Sequence, residues 1–165
     1  MSSTESLTKL YDPIRKSWVK ATPEELVRQN WLNEMIRKGY PKELIAIERE
    51  LASLPHLSHL KRLPRRRIDI LCFAKEIHPQ YPFYPLLIIE CKEDKITEKG
   101  VNQLIGYNAF VKSYYVGIAG QSDIRVGSFD RSLGEYRFAS HLPDFQELLD
   151  FCLKGLSESS HGKRD

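Results

Sequence analysis

The sequence predicts an α/β (α+β) domain that combines short apolar strands with amphipathic helices. Two apolar segments, 67–73 and 86–92, have the length and composition of buried strands. Two others, 22–38 and 100–112, carry apolar residues at helical spacing. A chain of 165 residues is long enough to form one domain with a substantial core.

The two ends of the chain differ in composition from its middle. We place an N-terminal arm at residues 1–21, the main domain at 22–154, and a polar tail, predicted to be disordered, at 155–165. Within the arm, Asp12-Pro13 indicates a turn, and the apolar residues around it could pack or form a short strand.

The first helix has three start signals and a defined end. Thr22 can cap the helix, Pro23 suits its first turn, and Glu25 would complete a capping box. Gly39, followed by Pro41, ends it. The apolar stripe that would face the core consists of Val27, Trp31, Leu32, Met35 and Ile36.

The remaining elements follow from alternation and turn signals. Segment 44–54 alternates apolar and polar residues as a strand does, although 42–49 could equally extend as helix. Residues 55–64 and the proline-rich 78–85 are predicted to be connections. After a charged loop at 93–99 and the helix at 100–112, we expect a strand at 114–120, a hairpin of 124–129 with 135–139, and a closing helix at 142–153.

Three charged residues stand out because they lie in the two most apolar strands. Asp69 lies between two isoleucines, and Glu90 and Lys92 end the second strand. Since residues two apart share a strand face, Glu90 and Lys92 project together, and Asp69 can meet Glu90 if the strands pair. An unpaired charge in a buried strand is costly, so these residues require a partner or a function.

Binding of a divalent cation would explain these residue types. Mg²⁺ prefers oxygen ligands and keeps several waters, so Asp69 and Glu90 with a substrate phosphate could hold it. The metal can activate a water, while Lys92 orients that water or stabilises charge on the phosphate. The structural alternatives are ion pairs, of Asp69 with an arginine of 65–67 and of Glu90 with Lys92 at a strand end.

These residues resemble the signature of the PD-(D/E)XK nuclease superfamily, which has an aspartate, then Glu-x-Lys, then Gln-xxx-Tyr. Here they are Asp69, Glu90-Cys91-Lys92 and Gln103-Leu-Ile-Gly-Tyr107. The stretch from residue 22 to about 120 is similar to the N-terminal nuclease domain of type I restriction enzyme motor subunits, in its stand-alone form. This resemblance implies a restriction-endonuclease-like mixed central sheet flanked by helices, and it favours a strand at 44–54.

The resemblance also implies a function and a set of roles. It implies a metal-dependent deoxyribonuclease that uses Mg²⁺ or Mn²⁺, with Asp69 and Glu90 as metal ligands. Lys92 and Gln103 would be catalytic, and Tyr107 would line the DNA cleft. Glu25 has two interpretations that the sequence leaves open, a capping-box residue or a further metal ligand.

Composition adds expectations about partners and compartment. The net charge is only +3, but Arg65, Arg66 and Arg67 form a basic run beside Asp69 and could clamp DNA phosphates. Three cysteines without metal-binding spacing fit a reducing cytoplasm. We expect no signal peptide and no membrane span.

Two other functions are compatible with the sequence. The chain has no glycine-rich nucleotide-binding loop, so cleavage could require a second copy of the chain or a separate targeting or motor protein. A non-cleaving nucleic-acid-binding or assembly module with the same fold is the main alternative. A purely protein-binding role is the weaker one.

Overall fold

The structure, a computed structural model, describes residues 8–161 and is built around one six-stranded sheet. It begins with a hairpin of β1 (Lys9–Asp12) and β2 (Ser17–Lys20), followed by helix α1 (Pro23–Arg37). The sheet contains β3 (Ile45–Glu50), β4 (Arg67–Lys75), β5 (Phe83–Cys91), β6 (Tyr115–Ala119), β7 (Ile124–Asp130) and β8 (Glu135–Ala139), and the other helices are α2 (Glu98–Val111) and α3 (Phe145–His161). None of these helices is long and apolar enough to cross a bilayer.

The sheet is mixed and its strands lie in chain order, β3 to β8. Strands β5 and β6 are parallel because α2 crosses between them, and the other neighbouring strands are antiparallel. This is the mixed sheet flanked by helices that the sequence predicts. Segment 44–54, which could have been helix or strand, forms the edge strand β3.

The two faces of the sheet carry separate cores. One core packs α1 and α3 against the sheet, with Leu32 and Cys152 fully buried beside Ile70. The other packs α2, through Leu104, against sheet residues such as Ile88. Helices α1 and α2 therefore approach the central strands β4 and β5 from opposite faces.

Helix α1 begins and ends where the sequence predicts. The Thr22 hydroxyl oxygen accepts a hydrogen bond from the Glu25 amide at 3.2 Å. After the helix, Gly39 adopts a φ of 84°, which favours glycine. The reciprocal half of the capping box is not made, because the Thr22 amide donates to the Lys20 carbonyl instead.

Several predictions about the ends of elements were wrong. Helix α3 continues through His161, so the tail predicted to be disordered from residue 155 is helical as far as the structure describes it. Leu149 and Leu156 continue its apolar stripe against the core, which explains the extra turns. The connection predicted at 78–85 is too long, because β5 begins at Phe83, whereas the connection at 55–64 is as predicted and contains a short 3₁₀ turn that buries Leu57. Strand β5 ends at Cys91, one residue before Lys92.

Candidate functional site

Strands β4 and β5 bring Asp69 and Glu90 to the same end of the sheet. Their register pairs Ile70 with Ile89, and one step further along both strands lie Asp69 and Glu90. Asp69 is 8% exposed, and the Glu90 side chain is 15% exposed. Burial, and then the neighbouring Asp69 carboxylate, raise the pKa of Glu90. The two carboxylates are close enough to repel each other.

Both oxygens of Asp69 are held in place. Its Oδ1 accepts a hydrogen bond from Arg28 Nη2 at 3.0 Å, and its Oδ2 accepts one from the Cys91 amide at 2.8 Å. The first bond comes from α1, and the second from the end of the neighbouring strand. The carboxylate is therefore fixed relative to both α1 and β5.

Glu90 lies between two cations. Arg66 Nη2 is 2.9 Å from Glu90 Oε1, and Lys92 Nζ is 3.8 Å from the same oxygen. The Lys92 side chain is 36% exposed, so its ammonium can meet a ligand from solvent. The Lys92 amide donates to the Ala119 carbonyl at 2.8 Å, which fixes the backbone of Lys92 to β6 although β5 has ended.

Arg66 also stacks on Tyr107 of α2. Its guanidinium carbon is 4.5 Å from the centre of the tyrosine ring. Tyr107 is buried, and burial raises its pKa to about 12. Its hydroxyl has no hydrogen-bond partner within the described residues. The contact of Tyr107 with DNA that the sequence predicts stays a prediction, and in the free protein its buried ring supports Arg66.

The other predicted site residues form no hydrogen bond or ion pair with Asp69 or Glu90. Gln103 is exposed on α2, and its side chain makes no hydrogen bond within residues 8–161. Arg65 is exposed and forms no ion pair with any described residue. Arg67 pairs with Glu50 at 3.4 Å on the surface. Of the basic run, Arg66 is the member that reaches Glu90.

Arg28 is the functional candidate that sequence reasoning missed. It is 2% exposed, and its guanidinium contacts four carboxylates, which belong to Glu24 (3.2 Å), Glu25 (2.5 Å), Glu48 (3.3 Å) and Asp69 (3.0 Å). One sequence signal was available, because Arg28 is four residues before Leu32 of the apolar stripe and so shares its helix face. The partners of Arg28 on other elements left no local signal.

Glu24 and Glu48 complete the carboxylate cluster around Arg28. Burial, and then its closeness to Asp69, raise the pKa of Glu24. Glu48 interrupts β3 with a φ of 49°, between the pairs that Ile47 and Arg49 form with β4. This irregularity accompanies the contact of the Glu48 carboxylate with Arg28 on the side of α1.

Glu25 belongs to this cluster and not to a capping box. Its carboxylate accepts hydrogen bonds from Arg15 and Arg28, each at 2.5 Å, and from Gln29 at 3.0 Å. Gln29 also donates to the fully buried Asp12 at 2.8 Å. Of the two interpretations that the sequence left open for Glu25, the structure excludes the reciprocal cap and places the residue beside the Asp69 partner Arg28.

The sequence as a whole supports the family suggested by these residues. Residues 23–143 match the family described as type I restriction enzyme R protein N terminus (HSDR_N). The chain belongs to this family. No curated protein and no solved structure matches the chain at a significant level. Membership in the restriction enzyme R protein family gives the domain a nuclease-related role, and the carboxylates of β4 and β5 lie within the matched residues.

The donors of this R-protein domain fit a divalent cation held jointly with a substrate. Within residues 8–161, no three His, Cys, Asp or Glu side chains are arranged to hold a metal by themselves. Mg²⁺ needs only one or two carboxylates when phosphate oxygens and waters complete its shell. Asp69 raises the pKa of carboxylates on two sides, Glu24 and Glu90, and a cation would relieve that repulsion. Asp69 and Glu90 are the residues that would hold it.

Proposed function

We propose that this R-protein N-terminal domain is a PD-(D/E)XK nuclease that hydrolyses DNA phosphodiester bonds with Mg²⁺ or Mn²⁺. The observation that carries the proposal is the convergence of Asp69, Glu90 and Lys92 at one end of the sheet. Burial and the Asp69 carboxylate raise the pKa of Glu90 even though Arg66 pairs with it, and the Lys92 ammonium beside it is partly exposed, which supports a ligand-binding role. When bound, the metal would lower the pKa of a water and stabilise the leaving oxygen.

The protein's own groups have separable roles in this proposal. Asp69 and Glu90 present ligand oxygens, and Asp69 is oriented by Arg28 and by the Cys91 amide. Lys92 donates to the attacking water or to a phosphoryl oxygen, since its ammonium is partly exposed and 3.8 Å from Glu90. Arg66 is placed to meet a phosphate, because stacking on Tyr107 fixes its planar fork.

Exposed residues around the site supply the remaining contacts. Gln103 on α2 would contact the substrate near the scissile phosphate, and Arg65 and Arg67 would contact the DNA backbone. DNA is therefore the proposed partner. A second copy of the chain, or a separate targeting or motor protein, would supply the geometry for cutting both strands.

Cleavage of supercoiled, linear duplex and single-stranded DNA with Mn²⁺ tests the proposal. We expect activity in the wild-type protein and its loss in Asp69→Ala, Glu90→Gln and Lys92→Met, each with an unchanged circular dichroism spectrum. Glu147→Gln, on the exposed surface of α3, is the matched control and should cut normally. Full activity in Glu90→Gln would contradict the proposal.

A non-cleaving nucleic-acid-binding or assembly module is the second candidate, and one observation favours it. Arg28 contacts Asp69 and three neighbouring glutamates, so the cluster on the α1 side already contains a cation without any metal. Salt-sensitive DNA binding without cleavage in Mg²⁺ or Mn²⁺ would support this function. Metal-dependent cutting that Asp69→Ala abolishes would exclude it.

A further inference from the structure

The N-terminal hairpin is a two-faced ribbon that lies outside the residues matched by the family. Its register pairs Lys9 with Lys20, Leu10 with Val19, Tyr11 with Trp18, and Asp12 with Ser17. Because side chains alternate across a strand, two of these pairs share each face. The inward face contains Leu10, Val19 and Asp12, and the outer face consists of Lys9, Tyr11, Trp18 and Lys20.

The outer face exposes two large aromatic rings. Trp18 is 68% exposed and Tyr11 is 51% exposed, and their ring centres are 5.5 Å apart in an edge-to-face arrangement. Because the two exposed rings lie on adjacent strands, they form a contiguous apolar surface. No other described part of the chain covers it. Such a surface is typical of a binding site.

The lysines on the same face favour an anionic ligand. Lys9 and Lys20 are directly opposite across the two strands, and like charges in that position destabilise a hairpin. Neither lysine has an ion-pair partner in the part of the chain that the structure describes. A polyanion bound over the rings would remove this repulsion, whereas a purely apolar partner would not.

The ribbon is anchored beside the carboxylate cluster. Asp12 is fully buried, and its carboxylate accepts hydrogen bonds from the Ile14 and Arg15 amides at 2.7 and 2.9 Å. Arg15 in turn bonds Glu25 at 2.5 Å and lies 3.5 Å from Glu48. Since Glu25 and Glu48 both contact Arg28, the hairpin is tied to the helix that holds Asp69.

We propose that the outer face of the hairpin is a binding site for single-stranded DNA. Unpaired bases stack on Trp18 and Tyr11, and Lys9 and Lys20 contact the phosphates on either side. Every base can stack on an aromatic ring, so this contact would be independent of DNA sequence. Two exposed rings with lysines on either side are typical of such sequence-independent binding. That the ligand is DNA rests on the proposed nuclease function. The hairpin would add to that function a preference for single-stranded DNA close to the proposed catalytic site.

The two tryptophans of the chain make the test specific. Trp18 is exposed, whereas Trp31 is 9% exposed and its indole nitrogen donates to the Gly120 carbonyl at 2.7 Å. We expect oligothymidylate, added in EDTA so that no cleavage occurs, to quench tryptophan fluorescence in the wild-type protein. Trp18→Phe keeps the aromatic platform, so it should bind with similar affinity, measured by oligonucleotide anisotropy, while its remaining fluorescence is not quenched.

Variants of the face should weaken binding in two distinguishable ways. Trp18→Ala should reduce affinity roughly tenfold, the loss expected for one base–aromatic stack. Lys9→Gln and Lys20→Gln should each lower the slope of log affinity against log salt by about 0.7, as expected for one phosphate contact to a single strand. Phe151→Ala, at an equally exposed ring on α3, is the matched control and should change neither quantity.

The outcomes separate this inference from the proposed nuclease. Quenching at Trp18 in a protein that does not cut DNA would support the hairpin site and leave the nuclease unsupported. Metal-dependent cutting with no quenching, and with unchanged affinity in Trp18→Ala, would overturn the hairpin site and leave the nuclease intact. Preference for a protein partner in place of oligothymidylate would also overturn it. Trp31 fluorescence reports that each variant is folded.

Discussion

Arg28 Nη2 donates to Asp69 Oδ1 at 3.0 Å, although the two residues are 41 positions apart in the chain. The bond joins the first helix to the strand that carries the proposed metal ligand. Because Arg28 is 2% exposed, its removal would leave Asp69 and Glu24 without an ion-pair partner among the described residues, while Glu25 and Glu48 would keep Arg15. This makes Arg28 the residue on which both the stability and the geometry of the site depend most directly.

We therefore expect Arg28→Met to lower the free energy of unfolding by about 3–5 kcal/mol, the usual cost of removing one partner from a buried ion pair. Urea denaturation of the variant and the wild-type protein would measure the change. Arg37→Met removes an exposed pair with Glu34 on the same helix and should leave the urea midpoint nearly unchanged. Equal losses in the two variants would contradict the role of Arg28.

Glu90→Gln should keep the thermal midpoint of the metal-free protein at or above that of the wild type. Burial and the Asp69 carboxylate disfavour the charged form of Glu90, so a neutral amide removes an unfavourable charge. The same variant should lose most of the increase in melting temperature that Mn²⁺ gives the wild type, since binding to the native state stabilises it. Differential scanning fluorimetry with and without Mn²⁺ measures both effects, and an undiminished Mn²⁺ shift would rule out Glu90 as a ligand.

Gln103→Ala should leave the melting temperature unchanged, because the exposed Gln103 side chain makes no hydrogen bond with any residue that the structure describes. If Gln103 contacts the substrate, cleavage should fall while Mn²⁺ binding, followed by fluorimetry, is retained. Asn102→Ala, one position earlier and also exposed on α2, provides the comparison. Identical cleavage by the two variants would remove Gln103 from the site.

Arg65→Gln should weaken duplex DNA binding and lower the salt slope by about 0.9, the value for one phosphate contact. Arg65 is suited to this contact since it is exposed and free of ion pairs among the described residues. Arg67→Gln should have a smaller effect, because Arg67 must first leave Glu50. Anisotropy titrations at several salt concentrations would rank the two variants, and the reverse order would count against this assignment.

His56 should make the protein less stable as the pH falls from about 7 to about 5. Burial lowers the pKa of His56, whose ring Nε2 donates to the Val111 carbonyl at 2.9 Å. The unfolded chain therefore binds a proton at a higher pH than the folded protein does, so stability is lost on acidification. His56→Gln should flatten this part of the stability curve, whereas the exposed His141→Gln should not. Urea midpoints across this pH range measure the difference.

The elements that could be predicted are those specified by local chemistry. Thr22, Pro23 and Gly39 mark the first helix because capping, ring geometry and positive φ act within a few residues. Strands β4 and β5 followed from continuous apolar runs, and period two showed that Asp69 could meet Glu90 if the strands paired, as they do. These signals identified the fold class and the two central carboxylates.

The parts that could not be predicted depend on contacts between distant segments. The Arg28 cluster draws carboxylates from α1, β3 and β4, and nothing near Arg28 in the sequence specifies Glu48 or Asp69 as partners. The positive φ at Glu48 could not be predicted either, because the residue is not a glycine. The second strand of the N-terminal hairpin was also missed, since the contact of Asp12 with Gln29 of α1, which helps to anchor the arm, lies 17 positions along the chain.

The ion pairs around Arg28 also have a consequence for how the protein folds. They join residues separated by 10, 20 and 41 positions, so the hairpin, the first helix and two strands must all be in place before the cluster exists. Contacts of high sequence separation form late, since the entropy of closing the intervening loops opposes them. A partly unfolded chain therefore carries every proposed catalytic side chain but not their arrangement. Completion of the fold is thus the step that would create the site of the proposed nuclease.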